Sequence, residues 1–599
     1  MICSKTANCR KNTNSKVSLY GLFAVFILTV LAFISAIEFD FISYDDPIYI
    51  TENTNVNSGL SLTNAKWAMI STGKTNLWHP ITFLSHQLDV ELFGLSPRWH
   101  HAVSIFWHAL AAGLLFLVAQ GLSKSSLLAF FIALLWAIHP EKIQSVAWLS
   151  ERKDVLSGAF FFASIYSFMK WRMNQHRFLY LLSFCLFVLA LMSKPSVVTL
   201  PLVLFVLFYA KKNIVRSAFS SLPVLLPFYL ASCAAAGVAI YFQSIGDLAS
   251  VSDQLSVVQR VSKIPVSFTF YLERFLWPHP SQLWFYPPTS IRDSAISLAI
   301  IAVLVPLFTW LCLKERLIAL GVATYVLMWL PVSGVVTVGY YFTADRYSYL
   351  PMLGLVLILV GFVKWVSNFA HGKKMLATVV LSFILIQFFV GQQLQLPIWK
   401  NDETLFSNEM KVNPRSLLAP IHYGAIYDKS DPEKALRYYE KAHEIDRESG
   451  LALMNMGISQ KKLGKTQDAL ESFAKGMRVK MPEVGVWTRC FILQAELQMY
   501  AEAEITIRDG LNKFPKNMTL VINAASYFIN KESPSEGDLK MSMQLFSRAQ
   551  KINPADPDAN LGCGTTQLML GNIEKAKYYY RLLPREMREN PSISEVLNR

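Results

Sequence analysis

Long apolar runs separated by short basic segments fill the first two thirds of the chain, and the last third switches to amphipathic repeats. The apolar stretches fall at residues 17–37, 101–121, 125–140, 154–171, 178–193, 196–210, 221–243, 292–313, 317–333, 347–367 and 374–394. An apolar helix of roughly 20 residues crosses a bilayer core, so the pattern predicts about eleven spans, the shortest lying between 125 and 210. The first run follows Lys5, Arg10, Lys11 and Lys16 and has no clean small-residue cleavage site after it. It reads as a retained helix with a cytoplasmic N-terminus. The short connections carrying Lys170, Arg172 and Arg177; Lys211, Lys212 and Arg216; Lys314 and Arg316; and Lys364, Lys373 and Lys374 then fall inside. The long segments 38–100 and 244–291 are sparsely basic and fall outside, as the positive-inside rule requires.

From residue 401 the pattern repeats. "EKALRYYEKAHEID", "QDALESFAKGMRVKMP", "AEAEITIRDGLNKFP", "LKMSMQLFSRAQKINP" and "IEKAKYYYRLLP" align on Ala435, Ala469, Ala503, Ser542 and Ala576. The steps are 34, 34, 39 and 34, and the long one contains the polar insert "KESPSEGD". A 34-residue period with small residues where helices touch is the tetratricopeptide (TPR) signature. Ala442, Gly457, Gly476, Gly510 and Ala549 hold the other close-packing positions. The predicted fold is therefore all-α: a polytopic helical membrane domain over 1–400, then an α-solenoid of TPR repeats over 401–599, outside the membrane.

Composition agrees. The 599 residues are 53% hydrophobic and only 16% charged, against roughly a quarter charged in soluble domains. The net charge of +14 reads as inner loops facing anionic lipid; no nucleic-acid motif accompanies it. Seven cysteines without CxxC spacing argue against a disulfide framework or a zinc site.

The polar motifs that interrupt the apolar background are unevenly distributed. "YDDPIY" (44–49), "LWHPITFLSHQLD" (77–89), "SPRWHH" (96–101), "HPEKIQSVAWLSERKD" (139–154), "SKP" (193–195), "FLWPHPSQLWFYPP" (275–288) and "ADRYSYLP" (344–351) all fall on the predicted outer side. Each has a plain reading on its own. Asp45 and Asp46 suit a solvated helix end, His139 and Glu141 an interfacial cap, and Glu151–Asp154 a salt-bridged turn. Trp78, Trp99, Trp148, Trp277 and Trp284 suit an interfacial belt. His100 and His101 lack a third ligand fixed by spacing. The one-sided clustering is what points to a site, because ionisable groups at membrane depth are costly.

These motifs, in this order, resemble the transmembrane-and-TPR proteins of the GT-C glycosyltransferase class, which is related to the protein O-mannosyltransferases. The resemblance rests on "YDDPIYI", "WHPITFLSHQLDVELFGLSPRWHHAVSIFWH", "HPEKIQSVAWLSERKDVLSGAFFFAS", "LMSKPSVVTLPLVLFVLFY", "YLERFLWPHPSQLWFYP" and "ADRYSYLPMLG", and covers nearly the whole chain. It implies an inverting transferase that moves a sugar, mannose or another hexose, from a polyprenyl- or dolichyl-phosphate carrier to an acceptor hydroxyl on protein Ser/Thr. It implies Asp45 as catalytic base with Asp46 orienting it or the acceptor, and Arg152, Lys153, Arg346 and Lys194 as grips for the carrier phosphate. His79, His139, Glu141 and Asp154 would line the sugar and acceptor pocket, with Glu151 sharing in substrate binding. No obligatory metal follows, although the acid pair leaves a divalent ion open. The TPR groove would recruit an acceptor protein or peptide. A plasma (inner) membrane location fits. Two other readings compete: a membrane-anchored TPR scaffold for envelope assembly without catalysis, and an O-antigen ligase or polymerase. The long acid-bearing loop after span one argues against the latter.

Overall fold

A computed structural model describes residues 19–70, 78–210, 213–245, 257–280, 291–334, 343–369, 373–480 and 482–598. Lys5, Arg10, Lys11, Lys16, Lys211, Lys212 and the stretch 281–288 lie outside them. Every regular element among the described residues is helical. The chain divides into two compact units, Met1–Pro414 and Arg415–Arg599.

In the first unit a helix covers each of the eleven apolar stretches. Among the described residues, five are long and apolar enough to cross a membrane: Leu19–Glu38, Pro97–Ser123, Ile214–Phe242, Arg292–Lys314 and Lys374–Trp399. The helices Ser126–Ala137 and Pro140–Ala147, bent by 59°, add a sixth if they form one span. Others, including Arg177–Ser193, Arg316–Val332 and Met352–Ser367, are apolar but shorter. These helices make the chain a membrane protein. Among the described residues the count of full-length spans falls below eleven; breaks at Pro140 and Pro195 shorten the helices beside them. The helix Val257–Leu276 lies where the sequence pattern gave only an outer segment.

The break at 138–140 has a clear cause. Pro140 has no amide hydrogen to continue the preceding helix. His139 caps the turn: its Nδ1 accepts from the Glu141 amide at 3.2 Å, and its Nε2 donates to the Phe275 carbonyl at 3.2 Å. The chain then runs through a short helix at Ile143–Ala147 and a single 3-10 turn at Leu149–Glu151 into the long helix Arg152–Asn174. This path carries Glu141, Lys142, Gln144, Ser150, Glu151, Arg152, Lys153 and Asp154 into the interior, where all are buried. On another side, the helices Arg316–Trp329 and Met352–Ser367 cross at a glycine pair. A Cβ on Gly354 would sit 2.4 Å from the Tyr325 amide nitrogen, so only glycine allows the approach. That crossing fixes the turn Asp345–Ser348 at the start of the second helix.

The chain leaving the last apolar helix is held against the first loop. The Asp40 amide donates to the Lys400 carbonyl at 2.9 Å, and the Ser43 amide to Asp402 Oδ1 at 2.8 Å. Trp399 is fully buried and stacks on Trp148. The helix Asp402–Val412 thus belongs to the first unit.

The second unit is five helix hairpins followed by two short helices. Ala435, Ala469, Ala503, Ser542 and Ala576 are each fully buried, as the repeat alignment requires. The helix starts are capped by Asp431, Ser449, Asn517, Ser535 and Asp556, each accepting an amide from the first turn. The "KESPSEGD" insert is absorbed inside the fourth hairpin, between Met518–Ile529 and Glu536–Ile552, where Lys531 pairs with both Glu504 and Asp538.

Candidate active site

Asp45 and Asp46 are neighbours in sequence with opposite fates. Asp46 is fully buried and its carboxylate is fully engaged. Oδ2 accepts from the Ile42 amide at 2.8 Å, and Oδ1 accepts from the Ser150 amide at 2.9 Å and the Ser150 hydroxyl at 2.5 Å. It therefore pins the first loop to the turn at 149–151. Burial pushes its pKa up to about 7, against the pull of those three hydrogen bonds. Asp45 is only half-buried. Burial raises its pKa as well, while Lys153 and Arg346 lower it and Glu151 opposes them. A carboxylate tuned above its usual range, with cations beside it and its face not wholly covered, has the attributes of a general base.

The cations converge on one acid. Glu151 Oε1 meets Lys153 Nζ at 3.0 Å and Arg346 Nε at 3.1 Å; Oε2 lies 3.5 Å from Lys194 Nζ. Lys194 also bonds Asp154 Oδ1 at 2.5 Å, and Asp154 Oδ2 accepts from Ser145 at 2.9 Å. Burial alone would raise the pKa of Glu151, but Lys153, Lys194 and Arg346 outweigh it and bring it down to about 2. Aromatic faces hold the cations in place: Lys153 lies 4.7 Å from the Tyr49 ring centroid, and Arg346 lies 5.2 Å from those of Trp148 and Tyr347. Asp45, Glu151 and Asp154 balance Lys153, Lys194 and Arg346, three charges against three. Beside them opens a small pocket of about 20 Å³. Its lining mixes Lys194, Arg346, Asp154 and the hydroxyl residues Ser157, Ser196 and Thr199 with the apolar Val197, Met328, Val332 and Leu350.

The remaining candidates sit around this centre. His79 is buried and bonds the Tyr49 hydroxyl at 3.2 Å; burial, with Lys153 and Lys194 nearby, holds it neutral. Glu141 lies in a separate cluster, paired with Arg274 at 2.9 Å, and Arg274 also pairs with Asp345 at 2.9 Å. His139 is used by the turn it caps. Arg152 points away from Lys153, into a buried set formed by Asp89, Ser104, Ser85 and the His100 carbonyl. The geometry thus gathers Asp45, Lys153, Asp154, Lys194 and Arg346 around Glu151, and leaves Arg152, His139 and Glu141 outside the gathering. Sequence reasoning missed Arg274, Asp345 and Ser150. Arg274 carried a signal, as half of the charged Glu273–Arg274 step inside the apolar and aromatic "YLERFLWP" stretch.

No family model matches the chain. The human protein O-mannosyl-transferase TMTC3 is 22% identical over 596 residues, 90% of this chain and 61% of its own. The chain is similar to the transmembrane-and-TPR proteins. Human TMTC4, also named a protein O-mannosyl-transferase, is 24% identical over 490 residues, covering 69% of this chain and 64% of its own. A shorter match of 204 residues at 28% identity joins it to Tmtc1 of Drosophila melanogaster, over 32% of this chain and 24% of that one. This transmembrane-and-TPR-like chain spans about three fifths of the length of the relatives it matches most fully. Among solved structures, the TPR protein YrrB matches over 97% of its own chain and 32% of this one, with 18% identity and a TM-score of 0.25.

Proposed function

We propose that this chain is a membrane glycosyltransferase of GT-C type. It moves mannose or another hexose from a polyprenyl- or dolichyl-phosphate carrier to a protein Ser/Thr hydroxyl, with inversion. The observation that carries the proposal is the half-exposed Asp45 beside cations organised by Glu151, while Asp46 is consumed in holding the loop. The names of the relatives support the same reaction class. In the step, the acceptor oxygen attacks the anomeric carbon and its proton passes to Asp45. The carbon–oxygen bond to the phosphate breaks, and the electron pair leaves with the phosphate. Lys153, Lys194 and Arg346 stabilise the charge that gathers there, in a site where water is scarce and each charge contact counts for more. The residues that line the small pocket beside Lys194 and Arg346, charged and hydroxyl groups mixed with apolar ones, have the chemistry to meet a phosphate joined to a lipid. His79 and Asp154 border the place left for sugar and acceptor, and no metal is required by these roles. The TPR solenoid offers a concave surface for an extended acceptor or a partner protein. The sequence pattern of a cytoplasmic N-terminus and eleven apolar stretches supports an array outside the plasma membrane.

The test is mass spectrometry of outer-face glycoproteins from cells carrying the native chain, Asp45→Asn or Asp46→Asn at equal expression. Loss of hexose from defined peptides in the Asp45 variant supports the assignment. A change confined to a surface lipid glycan keeps the transferase and replaces the acceptor. Unchanged glycans in both pools would leave a non-catalytic TPR scaffold as the better reading.

A further inference from the structure

Three buried side chains converge on one point, apart from the reaction centre proposed above. His86, on the helix Pro80–Phe93, places Nδ1 3.2 Å from Nδ1 of His100, on the helix Pro97–Ser123. The same His100 nitrogen lies 3.3 Å from Asp89 Oδ2. All three ligand atoms lie within 4.8 Å of one another, and all three residues are buried. Hydrogen bonding alone serves this arrangement badly. When His100 Nδ1 carries a proton, that proton is shared between His86 and Asp89. When it carries none, its lone pair faces the carboxylate. In either neutral tautomer one of the two contacts lacks a proper proton. The far nitrogens, Nε2 of His86 and of His100, are buried and turn toward the backbone at Leu149 and Gly94, which leaves the two Nδ1 lone pairs facing the triad.

One cation would satisfy all three lone pairs. A tetrahedral zinc ion with bonds of about 2.0–2.1 Å sets its ligand atoms about 3.3–3.4 Å apart. The His86–His100 and His100–Asp89 separations, 3.2 and 3.3 Å, match that edge. We infer that His86, Asp89 and His100 form a structural site for a divalent transition-metal ion, zinc by its ligand chemistry. Two imidazoles and one carboxylate favour zinc over the oxygen-seeking magnesium and calcium. Arg152 bonds the His100 carbonyl and Oδ2 of Asp89, the same oxygen that faces His100, so a bound ion would share that carboxylate with the guanidinium. The ion would clamp the helix Pro80–Phe93 to Pro97–Ser123. Through Arg152 it would also hold the start of the helix that carries Lys153.

The experiment is elemental analysis of the full chain, purified without a polyhistidine tag from cells grown with added zinc. About one zinc per chain is expected in the wild type and in His101→Gln, whose ring is buried nearby but outside the triad. His86→Gln and His100→Gln should each lose it. Chelated wild-type protein should then take up Co²⁺ with the visible ligand-field bands of a tetrahedral site. This second measurement decides the matter even where a variant fails to fold. A wild type without stoichiometric zinc and without cobalt bands overturns the site, as does full zinc retention in both histidine variants.

Discussion

Glu151→Gln should destabilise the membrane unit, and the size of the effect follows from its contacts. The substitution keeps the shape and removes the charge that faces Lys153, Arg346 and Lys194. The Glu151 pKa drops from 4.5 to about 2 in the folded chain, which at about 1.4 kcal/mol for each tenfold change is a few kcal/mol of charge-state stabilisation. Removing one partner of a buried pair costs about 3–5 kcal/mol, the same order. The sign follows from a depressed carboxylate. The contribution is complete above pH about 4.5, the unfolded value, and is lost as pH falls through about 2. The gap between wild type and variant should therefore be full at pH 7 and narrow below about 4.5. In a thermal unfolding assay of the detergent-solubilised chain, we expect the apparent midpoint to fall by about 5 °C at pH 7. Adding Lys153→Met should cost less than the sum of the two single changes, because a cation leaves with the acid. An unchanged midpoint in Glu151→Gln at pH 7 would refute the account of Glu151 as the organising charge.

Asp45→Asn should lower transfer by about 10²–10⁴-fold, the usual worth of a general base, with little loss of stability; a purified-enzyme rate assay checks it. The acid limb of the wild-type pH–rate profile should lie above the ordinary carboxylate value of 3.8, since Asp45 is raised, and should vanish in the variant. Arg274→Met strands Glu141 and Asp345 as buried acids and should cost about 3–5 kcal/mol, read as a lowered thermal midpoint. In the repeats, a Cβ on Gly457 would fall 2.4 Å from the Phe473 ring. Gly457→Val should destabilise its hairpin by at least about 1–3 kcal/mol, and limited proteolysis should cut the chain near 450–480 first.

The repeat region was legible because one 34-residue period marks every helix contact, and contacts between sequence neighbours need no long-range information. The membrane helices were legible as apolar stretches, but not the breaks that shorten them. His139 caps its turn only because Phe275, 136 residues away, supplies a carbonyl. Asp45 and Asp46 could be picked out as a pair but not told apart, because their roles depend on Ser150 and Arg346, far along the chain. Arg152 and Lys153 look interchangeable in "ERKD". On a helix they point about 100° apart, so one enters the Asp89 set and the other faces Glu151. Arg274 was hidden because Val257–Leu276, with Pro265 inside it, reads as part of a loop.

The bonds between residues 40–43 and 400–402, with Trp399 stacked on Trp148, bear on how the molecule can be taken apart. A cut at residue 400 would follow the change in sequence character, yet it would strip the Asp402 partner from Ser43, two residues before Asp45. The fragment left behind would keep its apolar helices and lose a wall of the loop that holds the acids. A cut after Pro414 leaves that wall intact. Dissection of activity between the two halves therefore depends on about a dozen residues that look like linker and behave as part of the membrane half.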